Sequence, residues 1–228
     1  MFDWKWDFTL AILPRLLEAT VNTMIAAGLG YLIALVLGLI FALAQRTPFP
    51  VLTFAVRESV EFIRSTPLVL QIFFVFYVGP QFGVRLSPWT SGMIAIGLHY
   101  ASYLSEVYRA GLDSVPKGQW EASIALNLSV KRTYSKIIIP QAIPTVIPGF
   151  GNYLVGIFKD TPMLSVIGVT ELFHAANSIG AETYRFLEPY TLVGAIFLAI
   201  SLPAAMSIRH FENWLRKSLG MTKLYAKD

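Results

Sequence analysis

The chain alternates long apolar runs with short polar connections. The apolar runs cover residues 19–44, 67–82, 89–108, 137–158 and 190–208. A helix needs about 20 mostly apolar residues to cross the hydrocarbon core of a bilayer. The pattern therefore predicts an all-α integral membrane protein with about five transmembrane helices.

The segments between these runs predict the rest of the organisation. Residues 51–64 mix charged and apolar positions, which favours a helix at the membrane interface, whereas residues 162–185 are ambiguous. Three prolines in the fourth run predict kinks and carbonyl groups that need other partners. The expected divisions are an outer N-terminal segment over 1–18, a transmembrane domain over 19–213 with a loop at 110–136, and a cytoplasmic tail over 214–228.

Composition and charge agree with a membrane protein. With 55% hydrophobic and 14% charged residues, the chain has too little polar surface for a soluble domain of 228 residues. There is no cysteine, which excludes a disulfide or a thiol nucleophile. If the spans alternate in direction, most of the 18 lysines and arginines fall on one side, which is then cytoplasmic. The N-terminus is expected outside and the C-terminus in the cytoplasm, and nothing predicts nucleic-acid binding.

The polar connection after the third span is longer than a link between two helices requires. Residues 115–119 predict a turn, and residues 120–126 predict a short helix. Asn127 tolerates the left-handed conformation that ends a helix, and Ser129 can cap the next one. We expect a short docking helix across the membrane plane that exposes Trp120, Glu121, Ala122 and Ala125.

This connection also resembles a known motif. It reads Gly118-Gln119-Trp120-Glu121-Ala122-Ser123, then Leu126-Asn127, then Ile137-Ile138-Ile139-Pro140-Gln141-Ala142. The stretch is similar to the coupling loop of bacterial ABC importer permeases, and it departs from the family pattern at Ser123, Asn127 and Ile139. Residues 62–68, 105–111 and 158–168 resemble motifs of the polar amino-acid uptake branch, in which serine often replaces Pro162.

The resemblance implies a fold and a function. We expect the fold of type I ABC importers (MetI-like), and a chain that acts as a binding-protein-dependent permease of the bacterial inner membrane. The expected substrate is a polar amino acid or a related small zwitterion, such as an opine or a compatible solute like ectoine. The coupling residues carried over are Gly118, Gln119, Trp120, Glu121, Ala122, Ser123, Leu126, Asn127 and Pro140.

The resemblance also implies partners. The chain has no Gly-x-x-x-x-Gly-Lys-Ser/Thr run, so we expect no enzyme and no cofactor here. ATP and Mg would bind a cytoplasmic ABC ATPase dimer. A second permease chain, identical or homologous, and a periplasmic or lipid-anchored solute-binding protein complete the expected assembly within membrane lipid.

Candidate pathway residues lie on the third span. His99, Tyr103 and Glu106 share one helix face, and an ionisable residue inside a span is costly to bury unless it has a function. Glu106 can equally pair with Arg109 one turn later and anchor the cytoplasmic end. His99 is too isolated for a metal ligand, and no metal site is expected.

Further candidates lie at the ends of the second and fourth spans. Gln71, Lys159, Asp160 and Thr161 offer polar groups to a zwitterion, although Lys159 and Asp160 can instead pair with each other. With both Glu106 and Lys159 as candidates, the sign of the substrate's charge stays open. Arg64 and Thr66 lie at the cytoplasmic mouth of the second span, where Arg64 either acts in a gate or only contributes to the positive-inside bias.

Other classes of membrane protein fit the sequence less well. An ion-coupled secondary transporter predicts inverted repeats and more spans. A membrane-embedded enzyme needs a catalytic pair or a metal cluster at membrane depth, and the sequence has no matching motif. A channel would leave the long cytoplasmic loop without a purpose.

Overall fold

The computed structural model describes residues 4–218, with side chains up to residue 215, and this part is helical without any strand. The helices are α1 (Trp6–Ala44), α2 (Pro50–Ser65), α3 (Leu68–Phe73), α4 (Pro88–Asp113), α5 (Lys117–Ala125), α6 (Val130–Thr133), α7 (Ile139–Asp160), α8 (Leu172–Thr183) and α9 (Leu187–Ser218). Helical turns extend α3 to Phe82, a π-helical turn joins α6 to α7, and a 3₁₀ turn, Thr161–Ile167, follows α7.

The helices suit a bilayer in length. By length and composition, α1 and α9 can each cross a membrane, and α2 with the extended α3 forms a third span if the 108° bend between them lies within one crossing. The 26 residues of α4 and the 22 of α7 are also long enough for a span of about 20 residues, but they are more polar. The predicted spans correspond to α1, the extended α3, α4, α7 and α9, and residues 51–64, which were predicted to lie at the interface, lie within α2.

Several predicted boundaries shift. The first helix begins at Trp6, so most of the segment 1–18 is helical, because Arg15 pairs with Glu182 of α8 at 2.7 Å while Leu16 is fully buried. The ambiguous stretch 162–185 consists of the 3₁₀ turn and α8. The expected tail starts inside α9, and residues 219–228 lie outside the described part.

Close packing of α1 against α4 forms the centre of the fold. A Cβ atom on Gly30 would lie 2.7 Å from Ile96, and one on Gly38 would lie 2.9 Å from the Cβ of Leu104. Only glycine allows this approach. The contacts advance in the same direction along both helices, so α1 and α4 are parallel. Gly28 has open space around it, so it takes no part in this close packing.

The other long helices reverse direction. Gly149 of α7 lies beside Val107 of α4, and Gly156 lies beside Tyr100, so α7 is antiparallel to α4. The ring of Phe158 lies 4.9 Å from that of Phe197 in α9. The start of α1 therefore lies with α8 and the start of α9 at one end. The connection between α4 and α6 lies at the opposite end.

The first of the three prolines in the fourth span follows a non-α turn, and Pro144 and Pro148 lie inside α7. The wider π turn, Tyr134–Ile138, ends just before Pro140, which has no N–H for the carbonyl four residues earlier. Gln141 Nε2 donates a 2.7 Å hydrogen bond to the neighbouring carbonyl of Ile137. The side-chain donor thus serves the carbonyl next to the one that Pro140 leaves without its helical partner.

Candidate functional site

A cavity of about 600 Å³ lies between α4 and α7. Its volume is within the range of small-molecule sites. The lining residues are His99, Tyr100, Tyr103 and Val107 from α4, and Gly149, Asn152, Tyr153, Gly156 and Asp160 from α7. The cavity is therefore walled by two helices that both carry polar side chains toward it.

Two glycines of α7 create the room for the aromatic side chains. A Cβ atom on Gly149 would lie 2.8 Å from Val107, and one on Gly156 would lie 3.1 Å from the hydroxyl of Tyr100. A methyl group at Gly149 would collide with Val107, and one at Gly156 would crowd the Tyr100 hydroxyl. The glycines thus let the two helices approach while the tyrosines project between them.

Asp160 is bound by the opposite wall. The hydroxyl of Tyr100 donates a 2.7 Å hydrogen bond to Asp160 Oδ2. In the described part of the chain Asp160 forms no ion pair with Lys159, whose side chain is exposed. The predicted Lys159–Asp160 pair is wrong, because Asp160 at the end of α7 turns toward α4.

The cavity has an aromatic wall. The ring of Tyr103 lies 5.2 Å from that of His99 and 5.6 Å from that of Tyr153, and Tyr100 and Tyr153 are 6.0 Å apart. Tyrosine faces attract cations through their ring quadrupole. The rings and the Asp160 carboxylate together form an environment that suits a positively charged nitrogen.

Two further predicted residues adjoin the cavity without lining it. Gln71 Oε1 lies 3.2 Å from His99 Nδ1, and Gln71 Nε2 donates to the hydroxyl of Thr66 at 2.7 Å. Arg64 lies above the Tyr103 ring, with its guanidinium carbon 5.4 Å from the centroid. Helices α2 and α3 thus border the cavity through Arg64 and Gln71.

The remaining candidates lie elsewhere. Glu106 and Arg109 form an ion pair at 2.9 Å, and Arg109 also donates to Gln45 at 3.1 Å, which is the anchoring arrangement. Thr161 is fully buried, and its hydroxyl donates to the carbonyl of Phe158. Neither Glu106, Thr161 nor Lys159 lines the cavity. Among the lining residues, all within the described part, Asp160 carries the only formal charge.

Sequence reasoning missed Tyr100, Asn152 and Tyr153. The polar positions Asn152 and Tyr153, with Gly149, Gly156 and Asp160, recur every three or four residues in the fourth span. That spacing marks one helix face. The pattern is present in the sequence, but the prolines of the same span obscure its helical periodicity.

The short helix predicted after the third span forms as α5, but one of its side chains faces differently from the prediction. Trp120 is half-buried and packs edge-on against Tyr134 at 5.4 Å, so its expected exposure is wrong. Ser123 is also buried, and its hydroxyl donates to the carbonyl of Gln119. Trp120 is an anchor that holds α5 against the start of the α6–α7 segment. The expected exposure is correct for Glu121, Ala122 and Ala125.

The turn after α5 has the expected backbone. Asn127 has a φ of 49°, which is the left-handed conformation. Ser129 occupies the N-cap position of α6, but its side chain makes no capping hydrogen bond, so its predicted role is wrong. Gly118, Gln119 and Pro140 are exposed around this turn.

Large apolar side chains project from the same region. Ile124 is 79% exposed, Leu126 is 70% exposed and Val130 is 74% exposed. Exposed large apolar side chains close together in the sequence of a polar connection are typical of a contact with a protein or with the membrane. We call Ile124, Leu126 and Val130 the loop patch.

At the opposite end, Glu171 caps α8. Its carboxylate accepts hydrogen bonds from the N–H groups of Phe173 and His174, at 2.9 and 2.7 Å. Burial raises the pKa of the Glu171 carboxyl to about 7, although these two donors oppose the shift. Nearby, the Arg15 guanidinium lowers the pKa of the exposed Glu182 carboxyl. Within residues 4–218, no cluster of three or more histidine or acidic side chains has the arrangement of a metal site.

Comparison with known families decides the identity. Residues 34–217 match the family described as "Binding-protein-dependent transport system inner membrane component". The chain belongs to this family. Permeases of the family are not enzymes themselves, and the ATPase is a separate subunit.

Individual relatives indicate which kind of ABC transporter permease the chain is. The chain is 41% identical over 216 residues to the "Probable amino-acid ABC transporter permease protein y4tG" of Sinorhizobium fredii, covering 92% of this chain and 94% of that protein. It is 40% identical over 218 residues to the "L-cystine transport system permease protein TcyB" of Bacillus subtilis, covering 93% of each. The chain is therefore the permease subunit of an amino-acid ABC importer of the inner membrane.

Solved structures confirm the MetI-like fold. The protein described as "Crystal structure of an amino acid ABC transporter with histidines" superposes with a TM-score of 0.86 at 28% identity, over 93% of this chain and 99% of that chain. A structure of the MetNI methionine ABC transporter superposes with a TM-score of 0.69 at 15% identity, over 93% and 99%, and supports the fold alone.

Proposed function

We propose that this permease carries a polar amino acid or a related small zwitterion through the cavity between α4 and α7. The observation that carries the proposal is the Asp160 carboxylate beside the rings of Tyr100, Tyr103 and Tyr153. Such a group of acceptors suits an ammonium ion. Asn152 in the lining and Arg64 at the border offer N–H donors to a carboxylate.

The proposed class includes opines and compatible solutes such as ectoine. One relative, 32% identical over 212 residues, is named the nopaline transport system permease protein NocM of Agrobacterium fabrum. Another, 31% identical over 199 residues, is named the arginine transport system permease protein ArtQ of Bacillus subtilis. Both names are compatible with a zwitterionic substrate that carries several N–H donors at one end of the molecule.

The proposed orientation places the N-terminus outside and the loop patch in the cytoplasm. Arg46 and Asp113, at the ends of α1 and α4, pair at 2.6 Å beside the loop, and most basic residues lie on this side. A solute-binding protein would then deliver the solute at the end formed by α8. A second permease chain, identical or homologous, would complete the pathway.

The coupling we propose runs through α5. This helix is joined by short turns to α4 on one side and to the α6–α7 segment on the other, so it is connected to both walls of the cavity. An ATPase dimer that holds Glu121 and the loop patch would displace both walls when it closes on ATP. Access to the cavity would change from one side of the membrane to the other.

Co-purification tests this assembly. The full chain is purified from its host membranes in wild-type form and as Leu126→Asp and Glu121→Lys, and the associated ATPase is quantified. Tyr184→Asp is the matched control, because Tyr184 is 90% exposed at the opposite end and its φ of 54° suits aspartate. We expect the ATPase with the wild type and the control, and its loss with the two loop variants. A wild-type chain that never retains an ATPase would contradict the assembly.

A further inference from the structure

The side-chain amide of Gln71 has one possible orientation. Its Nε2 lies 2.7 Å from the carbonyl oxygen of Ile63 and 3.1 Å from that of Thr66. Turning the amide by half a rotation would place Oε1 against these two acceptors, and oxygen atoms cannot donate. The NH₂ group therefore faces the turn between α2 and α3, and Oε1 faces α4.

This orientation assigns the hydrogen of the His99 ring. Gln71 Oε1 lies 3.2 Å from His99 Nδ1, and an amide oxygen only accepts, so Nδ1 is the donor. In the neutral ring the lone pair then belongs to Nε2. Among the described residues, no hydrogen bond engages Nε2. Because His99 lines the cavity, Nε2 is the nitrogen left for a ligand.

The neighbours of His99 determine which kind of ligand group its Nε2 acceptor can bind. The rings of Tyr100 and Tyr103 lie 5.4 and 5.2 Å from the His99 ring and hold it on two sides. Asp160 belongs to the same lining and is negatively charged. A neutral acceptor, a carboxylate and aromatic faces together favour a ligand group that carries several N–H donors and a positive charge.

We propose that Gln71 is a positioning residue that holds His99 with Nε2 as an acceptor for a positively charged nitrogen of the transported solute. The proposal rests on the proposed function, since it requires that the solute enters this cavity. The nitrogen belongs either to the α-ammonium group or to a cationic side chain. Gln71 itself does not touch the solute, and it acts through His99.

The test measures ligand affinity in the purified transporter complex by calorimetry. The probes are L-arginine, L-glutamine and L-glutamate, which share the α-ammonium group but differ in side-chain charge. We expect about a tenfold loss of affinity in His99→Phe and a smaller loss in Gln71→Leu, as the removal of a hydrogen bond to a charged group implies. A loss for all probes assigns the α-ammonium group, and a loss for L-arginine alone assigns the side-chain cation.

Two controls separate positioning from folding. His99→Gln places an amide oxygen near the position of Nε2, and we expect it to recover part of the affinity lost in His99→Phe. Tyr108→Phe removes a hydrogen bond to the Leu35 carbonyl without touching Gln71 or His99, and we expect a lower melting temperature with unchanged affinities. Gln71→Leu should have no further effect in the His99→Phe background, which a merely structural role would not produce.

The outcomes distinguish this proposal from the proposed function. If the wild type binds a probe and Gln71→Leu binds it equally well, or if the effect of Gln71→Leu persists without His99, the positioning role is overturned. If the wild-type complex binds none of the three amino acids, and neither nopaline nor ectoine, both proposals are overturned.

Discussion

Tyr100 and Asp160 form a 2.7 Å hydrogen bond across the cavity, and they join the two helices that form its walls. Asp160 is the last residue of α7 and Tyr100 lies near the middle of α4. The bond therefore holds the carboxylate at a fixed place in the lining, where a ligand nitrogen can reach it.

Removing this bond should weaken ligand binding. In Tyr100→Phe the ring remains but Asp160 loses its donor, and we expect about a tenfold lower apparent affinity for the transported amino acid. The measurement is uptake of labelled amino acid over a range of concentrations. Tyr108→Phe is the control, because it removes a hydrogen bond to the Leu35 carbonyl away from the cavity. Equal effects of the two variants would contradict a role for Tyr100 in binding.

The parallel packing of α1 and α4 predicts opposite effects for two glycines. Gly38→Ala would bring a methyl group to 3.0 Å from the carbonyl oxygen of Ala101. Because a backbone atom cannot move away as easily as a side chain, we expect the free energy of unfolding to fall by about 1–3 kcal/mol. Gly28→Ala meets open space and gains helix propensity. Melting of the detergent-solubilised chain tests both, and a stable Gly38→Ala variant would contradict the packing.

Glu171 predicts a pH dependence of stability. Its pKa is about 7 in the folded chain, above its ordinary value of 4.5, so the folded state binds more protons between these pH values. This contribution is fully present below pH 4.5 and is lost as the pH rises through 7. Melting temperatures between pH 4.5 and 8 should therefore fall more steeply for the wild type than for Glu171→Gln. Parallel curves would contradict the shifted pKa.

Substitutions of Trp120 test whether its packing against Tyr134 holds α5 in place. Because Trp120 packs against Tyr134 and not toward the exposed side, Trp120→Ala should loosen α5 and lower amino-acid-stimulated ATPase activity of the complex. Trp120→Phe keeps an aromatic ring and should retain most of that activity. If Trp120→Ala keeps the ATPase bound and fully stimulated, the anchor is not needed for coupling.

Much of the helical organisation could be predicted from the sequence, because apolar length and turn residues are local properties. Asn127 has the left-handed φ that its side chain permits, and the Glu106–Arg109 pair follows from helix spacing. The early start of α1 could not be predicted, since Arg15 is compensated by Glu182, which is distant in the sequence.

The site was predicted only in part for the same reason. His99 and Tyr103 share a helix face, which spacing shows, and both line the cavity. Asp160 was a candidate, but its partner Tyr100 comes from another helix and only the fold brings them together. Trp120 was expected on the surface because the position of Tyr134 beneath it depends on the turn at Asn127.

ATP-driven uptake into proteoliposomes tests the central claim most directly. The complex purified with its ATPase and solute-binding protein is reconstituted as wild type and as Asp160→Asn, and uptake of labelled amino acids is followed with and without ATP. We predict ATP-dependent uptake of at least one polar amino acid by the wild type, and a large loss in Asp160→Asn while the ATPase remains bound. Uptake that needs no ATP, or that is unchanged in Asp160→Asn, would contradict an importer that moves its solute past this cavity.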